Sequence, residues 1–325
     1  MNLVSIAGRP RAANQRSTSE PPTQAPVSIC QRMLTSEPNP GQQGSWPATF
    51  DEEDFDSKPL DLSGQLSHGL YLGRTFANPD FLVRYPITVL RAKYRETLLG
   101  IGWEVLNPAL LVLVWWIIRG VVFPAAGGTD YLEFLVVSVF TYQFMQRFVL
   151  SGQSAVASSK GLLQSFSFPP LVAVLQQSVT VVVSNFFSIG ILLVFLIVAG
   201  GSHSAMWLIY PLVILLQSMF AIGGSMILAR LTSANPDARN MVPFVFRLLF
   251  YASGVIFPIE DRIEGRSIRW LFEVNPFYAI TALTRTVLLG DSIDSVTLAS
   301  AISWAALLPV LGYLVFRSGD DRYAV

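Results

Sequence analysis

Six stretches of this chain are long and apolar enough to cross the hydrocarbon layer of a membrane, and no other feature constrains its fold as much. A helical span needs about 20 apolar residues to cover roughly 30 Å, and residues 99–123, 131–150, 171–199, 206–231, 241–257 and 298–316 supply them. The fifth is the shortest, and the third is long enough to tilt or to project past the bilayer. Composition agrees with this. Of 325 residues, 52% are hydrophobic and 14% charged, and the mean hydropathy is +0.48, well beyond a soluble domain of this length. The expected fold class is an all-α integral membrane protein of six transmembrane helices.

Charge and cysteine content exclude other classes. The net charge is zero, which removes the electrostatic basis for a nucleic-acid partner. The single cysteine, Cys30, excludes an intrachain disulfide. The first residues lack the apolar core of a secretory signal. Residues 1–56 are rich in Pro, Ser, Gln and Gly and end in the acidic cluster Asp51, Glu52, Glu53, Asp54 and Asp56. Such a segment buries too little apolar surface to fold alone. The chain therefore divides into a disordered polar tail, 1–70, an interfacial segment, 71–98, and a transmembrane domain, 99–325.

The interfacial segment holds an amphipathic helix over 81–96. There, apolar residues alternate with Arg84, Arg91, Lys93 and Arg95, as in a helix lying among lipid headgroups. These cations, with Lys160, Arg230, Arg239, Arg317 and Arg322, place both termini and the even-numbered loops in the cytoplasm by the positive-inside rule. The stretch 258–297 is the exception. It carries Arg262, Arg266, Arg269 and Arg285 on the external side, offset by six carboxylates. Within it, 279–289 is apolar, too short to span and stopped by Gly290, which predicts a re-entrant or interfacial helix.

Charges inside spans are costly, so each invites an explanation. Glu104, Pro108, Leu111, Trp115 and Arg119 share one face of the first span, and Glu133, Val137, Phe140, Phe144 and Arg147 share one face of the second. Because the spans run in opposite directions, Glu104 lies level with Arg147 and Arg119 level with Glu133. Two cross-hairpin ion pairs follow, closing the ends of a face that carries Trp115, Phe140 and Phe144. Structural staples and snorkelling side chains account for the same charges equally well. In the fifth span Arg247 shares a face with Phe244, Tyr251 and Gly254; it serves either a path for anionic phosphate groups or a carboxylate partner. The aromatic residues, Trp115, Trp116, Phe140, Phe144 and Tyr251 among them, either stack on sugar faces or fill cores and interface belts.

Several chemistries lack their residues. No GxxxxGK[ST] occurs, and none of the three lysines follows a glycine-rich loop, so the chain has no P-loop of its own. His68 and His203 are the only histidines, and both lie outside the spans. That argues against a zinc centre or a histidine-based intramembrane enzyme. No carboxylate sits mid-span to serve a proton- or sodium-coupled carrier.

The run into the first span resembles a family pattern, RYxxxxLGxxWxxLNP, through Lys93, Tyr94, Arg95, Leu99, Gly100, Trp103, Leu106, Asn107 and Pro108. Leu162, Leu163, Phe168 and Pro169 echo the end of a second pattern, LLxxxxLIxKxxFP; Asp237 and the Asn275-Pro276 step match later ones. The family is that of membrane subunits of type-2 ABC exporters, in the branch that exports O-antigens, teichoic acids and related cell-surface glycans. The likeness covers about 81–322. Ser165 and Ser167 replace the usual basic residues before the Phe-Pro step, and Pro236 stands where an arginine is usual.

The resemblance implies a permease in the bacterial cytoplasmic membrane, acting as a homodimer with two copies of a separate P-loop ATPase that binds the ATP. No cofactor or metal is implied for the chain itself. A polyprenyl-diphosphate-linked glycan would pass outward past Trp115, Trp116, Phe140, Phe144, Arg247 and Tyr251. Arg91, Arg95, Ser158, Lys160, Gly161, Asp237 and Arg239 would face the ATPase. A type-2 permease for a drug, antibiotic or small lipid shares the span count. A glycan-modifying membrane enzyme would need a convergent acid-base or metal constellation that is absent from the sequence.

Overall fold

The computed structural model describes residues 67–76, 79–95, 98–122, 129–159, 169–200, 205–258 and 269–319, all within the compact unit 58–325. The described residues form helices and turns, with no strand among them. In chain order the helices are α1 (His68–Phe76), α2 (Pro79–Arg95), α3 (Trp103–Val122), α4 (Thr129–Ser158), α5 (Leu171–Ala199), α6 (Tyr210–Ala234), α7 (Ala238–Ala252), α8 (Arg269–Glu273), α9 (Pro276–Leu289) and α10 (Ser295–Arg317). Most of the tail expected over 1–70 lies outside the described residues, but His68 already begins a helix.

Among the described residues, five segments have the length and composition to cross a membrane: Gly100–Ile118, Asp130–Ser158, Leu171–Ala199, Ala205–Ala234 and Ser295–Arg317. The expected fifth span, 241–257, is not among them. Its helix, α7, has 15 residues, about 22 Å at 1.5 Å per residue. It stops at Ser253 and Gly254, the latter at φ +60, where a residue without Cβ turns the chain out of the helix. Val255 and Ile256 continue as irregular chain inside the core, and Tyr131 Oη closes on the Ile256 carbonyl at 2.8 Å.

Helix α4 is the axis of the bundle. It is 30 residues long, about 45 Å, so it exceeds the expected 131–150 and is longer than the roughly 30 Å hydrocarbon layer. Two thirds of its most apolar window is buried (67%), against 11% for α3, which leaves α3 as a peripheral stave. Leu135, Val137, Val139, Tyr142, Met145 and Phe148 of α4 are fully enclosed. Around this axis α3, α5, α6, α7 and α9 all pack.

In a bilayer, apolar faces gain nothing by leaving lipid for protein, so helix contacts depend on close packing of small residues. Glycine supplies that here. A Cβ on Gly223 of α6 would overlap the backbone of Leu308 and Pro309 in α10, and one on Gly312 would overlap Gly223 itself. Likewise, Gly152 of α4 lies directly against the Ser225 backbone of α6.

The apolar stretch expected to stop at Gly290 is α9, and it is buried along most of its length. Asn275 caps it, accepting from the Phe277 N–H at 3.0 Å, with Pro276 at the first turn and Gly290 left-handed at the end (φ +83). Its start is held by Asn275 Nδ2 on Ser253 Oγ (3.1 Å) and by Trp304 Nε1 on the Val274 carbonyl (2.8 Å). Its last turn is held by Trp207 Nε1 on the Leu288 carbonyl (3.1 Å). Arg285, read from sequence as a loop cation, is 2% exposed on α9; its guanidinium sits 4.7 Å over the Phe134 ring and donates to the Gly254 carbonyl. It also lies 3.8 Å from the Asp291 carboxylate, just past the end of α9.

One end of the bundle collects α1, the end of α4, the start of α5 and the ends of α6 and α10 around Tyr71, Val156, Leu171, Met226 and Phe316. His68 Nδ1 lies 3.2 Å from Tyr313 Oη, and Arg317 lies over the Tyr71 ring. The amphipathic α2 packs on α5 through Leu82, Pro86 and Leu90, spaced by four, while Arg84, Arg91 and Arg95 face outward. Overpacking costs about 1–3 kcal/mol, so Gly223→Ala or Gly312→Ala should lower the unfolding temperature of the purified chain by at least about 3 °C. Gly190→Ala, with open space around the new methyl, should leave it unchanged or raise it, as thermal melts of the three variants will show.

Candidate functional site

Between α2 and α3 the chain reverses at Gly100 (φ +53) and a single 3₁₀ turn, Gly100–Gly102. This reversal returns the first turn of α3 to the end of α2. Glu104, in that first turn, accepts from Tyr94 Oη at 2.5 Å through Oε1. Its other oxygen, Oε2, is ion-paired with Arg147 Nη1 of α4.

The same Nη1 donates to the Glu104 backbone carbonyl at 3.2 Å, which also accepts from Ser188 Oγ of α5 at 3.3 Å. Arg147 Nε is fixed in turn by the Gln143 carbonyl at 3.2 Å. One residue thus gathers α2, α3, α4 and α5. The ion pair is mostly enclosed, with side chains 26% and 17% exposed for Arg147 and Glu104. A pair taken out of water repays its desolvation only when its remaining groups are also satisfied, and both carboxylate oxygens of Glu104 are. The N-terminus of α3 adds a favourable dipole for that carboxylate.

Tyr94 feels this environment directly. Its burial, then the hydrogen bond to Glu104 and the charge on that carboxylate, push its phenol up to about 12. The sequence marked Tyr94 only as part of the family pattern leading into the first span. The signal for the larger node was the short reversal at Gly100, which a linear reading of faces leaves out.

The other predicted residues divide into three groups. Arg119 is in α3, but its side chain lies outside the described residues, so the second expected pair with half-buried Glu133 has no described geometry. Trp115 and Tyr251 do meet, edge to face at 6.0 Å, which brings α3 against α7. Trp116 is exposed, as are Arg247 and Tyr251 on α7.

Phe140 and Phe144 depart from expectation. They are 8% and 2% exposed, and Phe144 packs edge to face against Phe148 at 5.7 Å. The face of α4 that carries them is turned into the bundle, so within this chain they are core residues. An apolar cleft does run between α3 and α5 beside Phe140, lined by Val105, Ala109, Val112, Trp116 and Leu192 among others, with about 350 Å³ open to it.

Of the residues expected to face an ATPase, Arg91 and Arg95 are exposed on α2, and Asp237 and Arg239 at the start of α7. Ser158 is exposed in the last turn of α4. Lys160 and Gly161 lie outside the described residues, as do Leu162, Leu163 and Phe168. No group of three or more metal-binding side chains occurs among the described residues.

A helical bundle with five candidate spans among the described residues, an amphipathic approach helix and a charge pair tied between two of the spans defines a multi-pass membrane protein. The profile of the ABC-2 type transporter family matches residues 89–289, more than half of the chain, and the protein belongs to that family. The match takes in the end of α2, the Glu104 node and α9. Among curated relatives, the O-antigen export system permease protein RfbA of Myxococcus xanthus is 27% identical over 241 residues, covering 72% of this chain and 90% of its own. Two proteins of the same name from Klebsiella pneumoniae are 23% and 21% identical over 246 residues, each covering 75% of this chain and 94% of its own.

Two measurements test the node. Reversing either charge alone, Glu104→Arg or Arg147→Glu, sets like charges together and should lower the unfolding temperature by about 5 °C or more, and the double reversal should recover at least half of that loss. Tyr94 has a phenol pKa near 10 when unfolded and about 12 when folded. The folded state therefore holds this proton more tightly, and the resulting stability is complete below pH 10 and lost as pH rises toward 12. Tyr94→Phe should flatten that part of an alkaline stability profile.

Proposed function

We propose that the chain is the membrane-spanning permease subunit of an ATP-driven exporter of polysaccharide, with ATP hydrolysed by a separate P-loop subunit. Family membership and the shared length with O-antigen export permeases support this reading. The absence of any GxxxxGK[ST] in the sequence agrees with an ATPase on another chain. The working unit is a homodimer in the bacterial cytoplasmic membrane with both termini cytoplasmic. Its cargo is a glycan on a polyprenyl diphosphate. In this assembly α7 completes a sixth crossing together with the irregular chain after it, and α9 is re-entrant. Residues 1–70 form a cytoplasmic tail, 71–98 the interfacial segment and 99–325 the transmembrane domain.

The observation that carries the mechanism is the Tyr94–Glu104–Arg147 chain. An ATPase seated under Arg91, Arg95, Ser158, Lys160, Gly161, Asp237 and Arg239 displaces α2, and the node passes that displacement to α3, α4 and α5. Bistable packed elements move together only when a contact binds them in both states. Trp115, Trp116, Arg247 and Tyr251 then lie on the α3 and α7 faces that frame the path, and Arg247 supplies positive charge for a diphosphate.

The permease purified from its host should bring a P-loop ATPase with it, and hydrolysis should rise with lipid-linked glycan. A lone protein indifferent to ATP would end the proposal. In cells, Glu104→Gln and Tyr94→Phe should lower glycan export about tenfold while ATP hydrolysis by the complex falls less than about twofold, the separation expected of a lost coupling contact.

A further inference from the structure

A second polar cluster lies where α4, α5 and α6 meet, and it uses groups the node does not. Thr141 of α4, Asn185 and Ser188 of α5, and Tyr210 and Gln217 of α6 line one small cavity. All five are buried, between 2% and 7% exposed. The cavity offers about 10 Å³ to the centre of a water-sized sphere, the space of roughly one water and too little for an organic ligand.

The hydrogen bonding around the cavity is incomplete without such an occupant. Thr141 Oγ1 has no partner in the protein. The Asn185 amide of α5 lines the same cavity. Gln217 donates to Thr284 Oγ1 at 2.8 Å, which leaves its carbonyl oxygen to accept. Ser188 donates to the Glu104 carbonyl and keeps its lone pairs. A buried donor or acceptor left unmade is costly, and here the Thr141 hydroxyl is left unmade beside polar side chains of two further helices.

We propose that this cavity is a binding site for one ordered water, which joins α4, α5 and α6 at a polar point within the bundle. The groups can donate to its oxygen from Thr141 and Asn185 and accept its protons at Gln217 and Asn185, meeting the usual coordination of about three hydrogen bonds. The lining is neutral, with no carboxylate to hold a cation. Ser188 is common to this site and to the Glu104 node, so the water extends the same polar layer inward. The inference does not depend on what is exported.

Thermal unfolding of the purified full-length permease, with Thr141→Val, Thr141→Ser, Asn185→Leu and the double variant Thr141→Val/Asn185→Leu, tests the site. If the water is held, Thr141→Val and Asn185→Leu each lower the midpoint by about 2–4 °C. The double variant then loses little more than the worse single one, and Thr141→Ser, which keeps the hydroxyl but deletes a buried methyl, keeps the water peak in a density map. An unchanged or raised midpoint for Thr141→Val would mean a dry orphan hydroxyl and would overturn the proposal. So would a midpoint that rises with sodium over potassium in the native protein, since a cation would then occupy the site. A high-resolution density map of the native protein provides a readout independent of folding. A peak within hydrogen-bonding reach of Thr141 Oγ1 and Asn185 supports the water, and a featureless cavity rejects it.

Discussion

A carboxylate at the edge of a bilayer has to be satisfied by protein, and Glu104 meets that demand by drawing four helices to one point. An isolated charge within a span costs several kcal/mol. Tyr94 and Arg147 each take one oxygen of Glu104, while Ser188 and Arg147 both donate to its backbone carbonyl. Releasing any of these partners leaves a polar group unpaired where water is scarce. The position of α2 relative to α3, α4 and α5 is therefore fixed both by these contacts at Glu104 and by the packing of Leu82, Pro86 and Leu90 against α5.

That packing is uneven in a way that suits a moving part. Helix α4 is enclosed, α9 fills the space between α4, α6 and α10, and α6 lies against α10 at two glycines. By contrast, α3 and α7 leave large apolar side chains such as Val114, Ile117, Phe244 and Leu248 outside the bundle. The more enclosed helices α4, α6 and α9 are thus flanked by the staves α3 and α7, while α10, with 17% of its most apolar window buried, also turns an apolar face outward. Charged contacts then matter most for the staves, because they have few packed neighbours to hold them. The Trp115–Tyr251 edge contact ties the two together.

Much of this was legible in the residues. Counter-running spans with four-residue spacing put Glu104 level with Arg147, and the 11-residue stretch before Gly290 announced α9. Other features were hidden for physical reasons. Hydropathy over 241–257 cannot register the break at Ser253 and Gly254, because both residues are compatible with a membrane helix until the turn is formed. Helical spacing groups Phe140 and Phe144 with Arg147 on one face but does not say which neighbour that face meets, and α5 and α6 cover the part that carries the aromatics. Arg285 was counted among the external charges because two of its partners, the Phe134 ring and the Gly254 carbonyl, lie far from it in sequence. Tyr94 reaches Glu104 only through the left-handed turn at Gly100, a tertiary consequence of one glycine.

The central claim is that displacement of α2 reaches α3 through Glu104. With Cys30 replaced, spin labels at Ala92→Cys on α2 and Ile117→Cys on α3, each paired with a label at Ser303→Cys on α10, report both distances in the assembled transporter with and without bound ATP. The account predicts that both distances change on ATP binding in the native background, and that Glu104→Gln preserves the change at Ala92 but removes it at Ile117. Equal changes at Ile117 with glutamate and with glutamine at position 104 would contradict it.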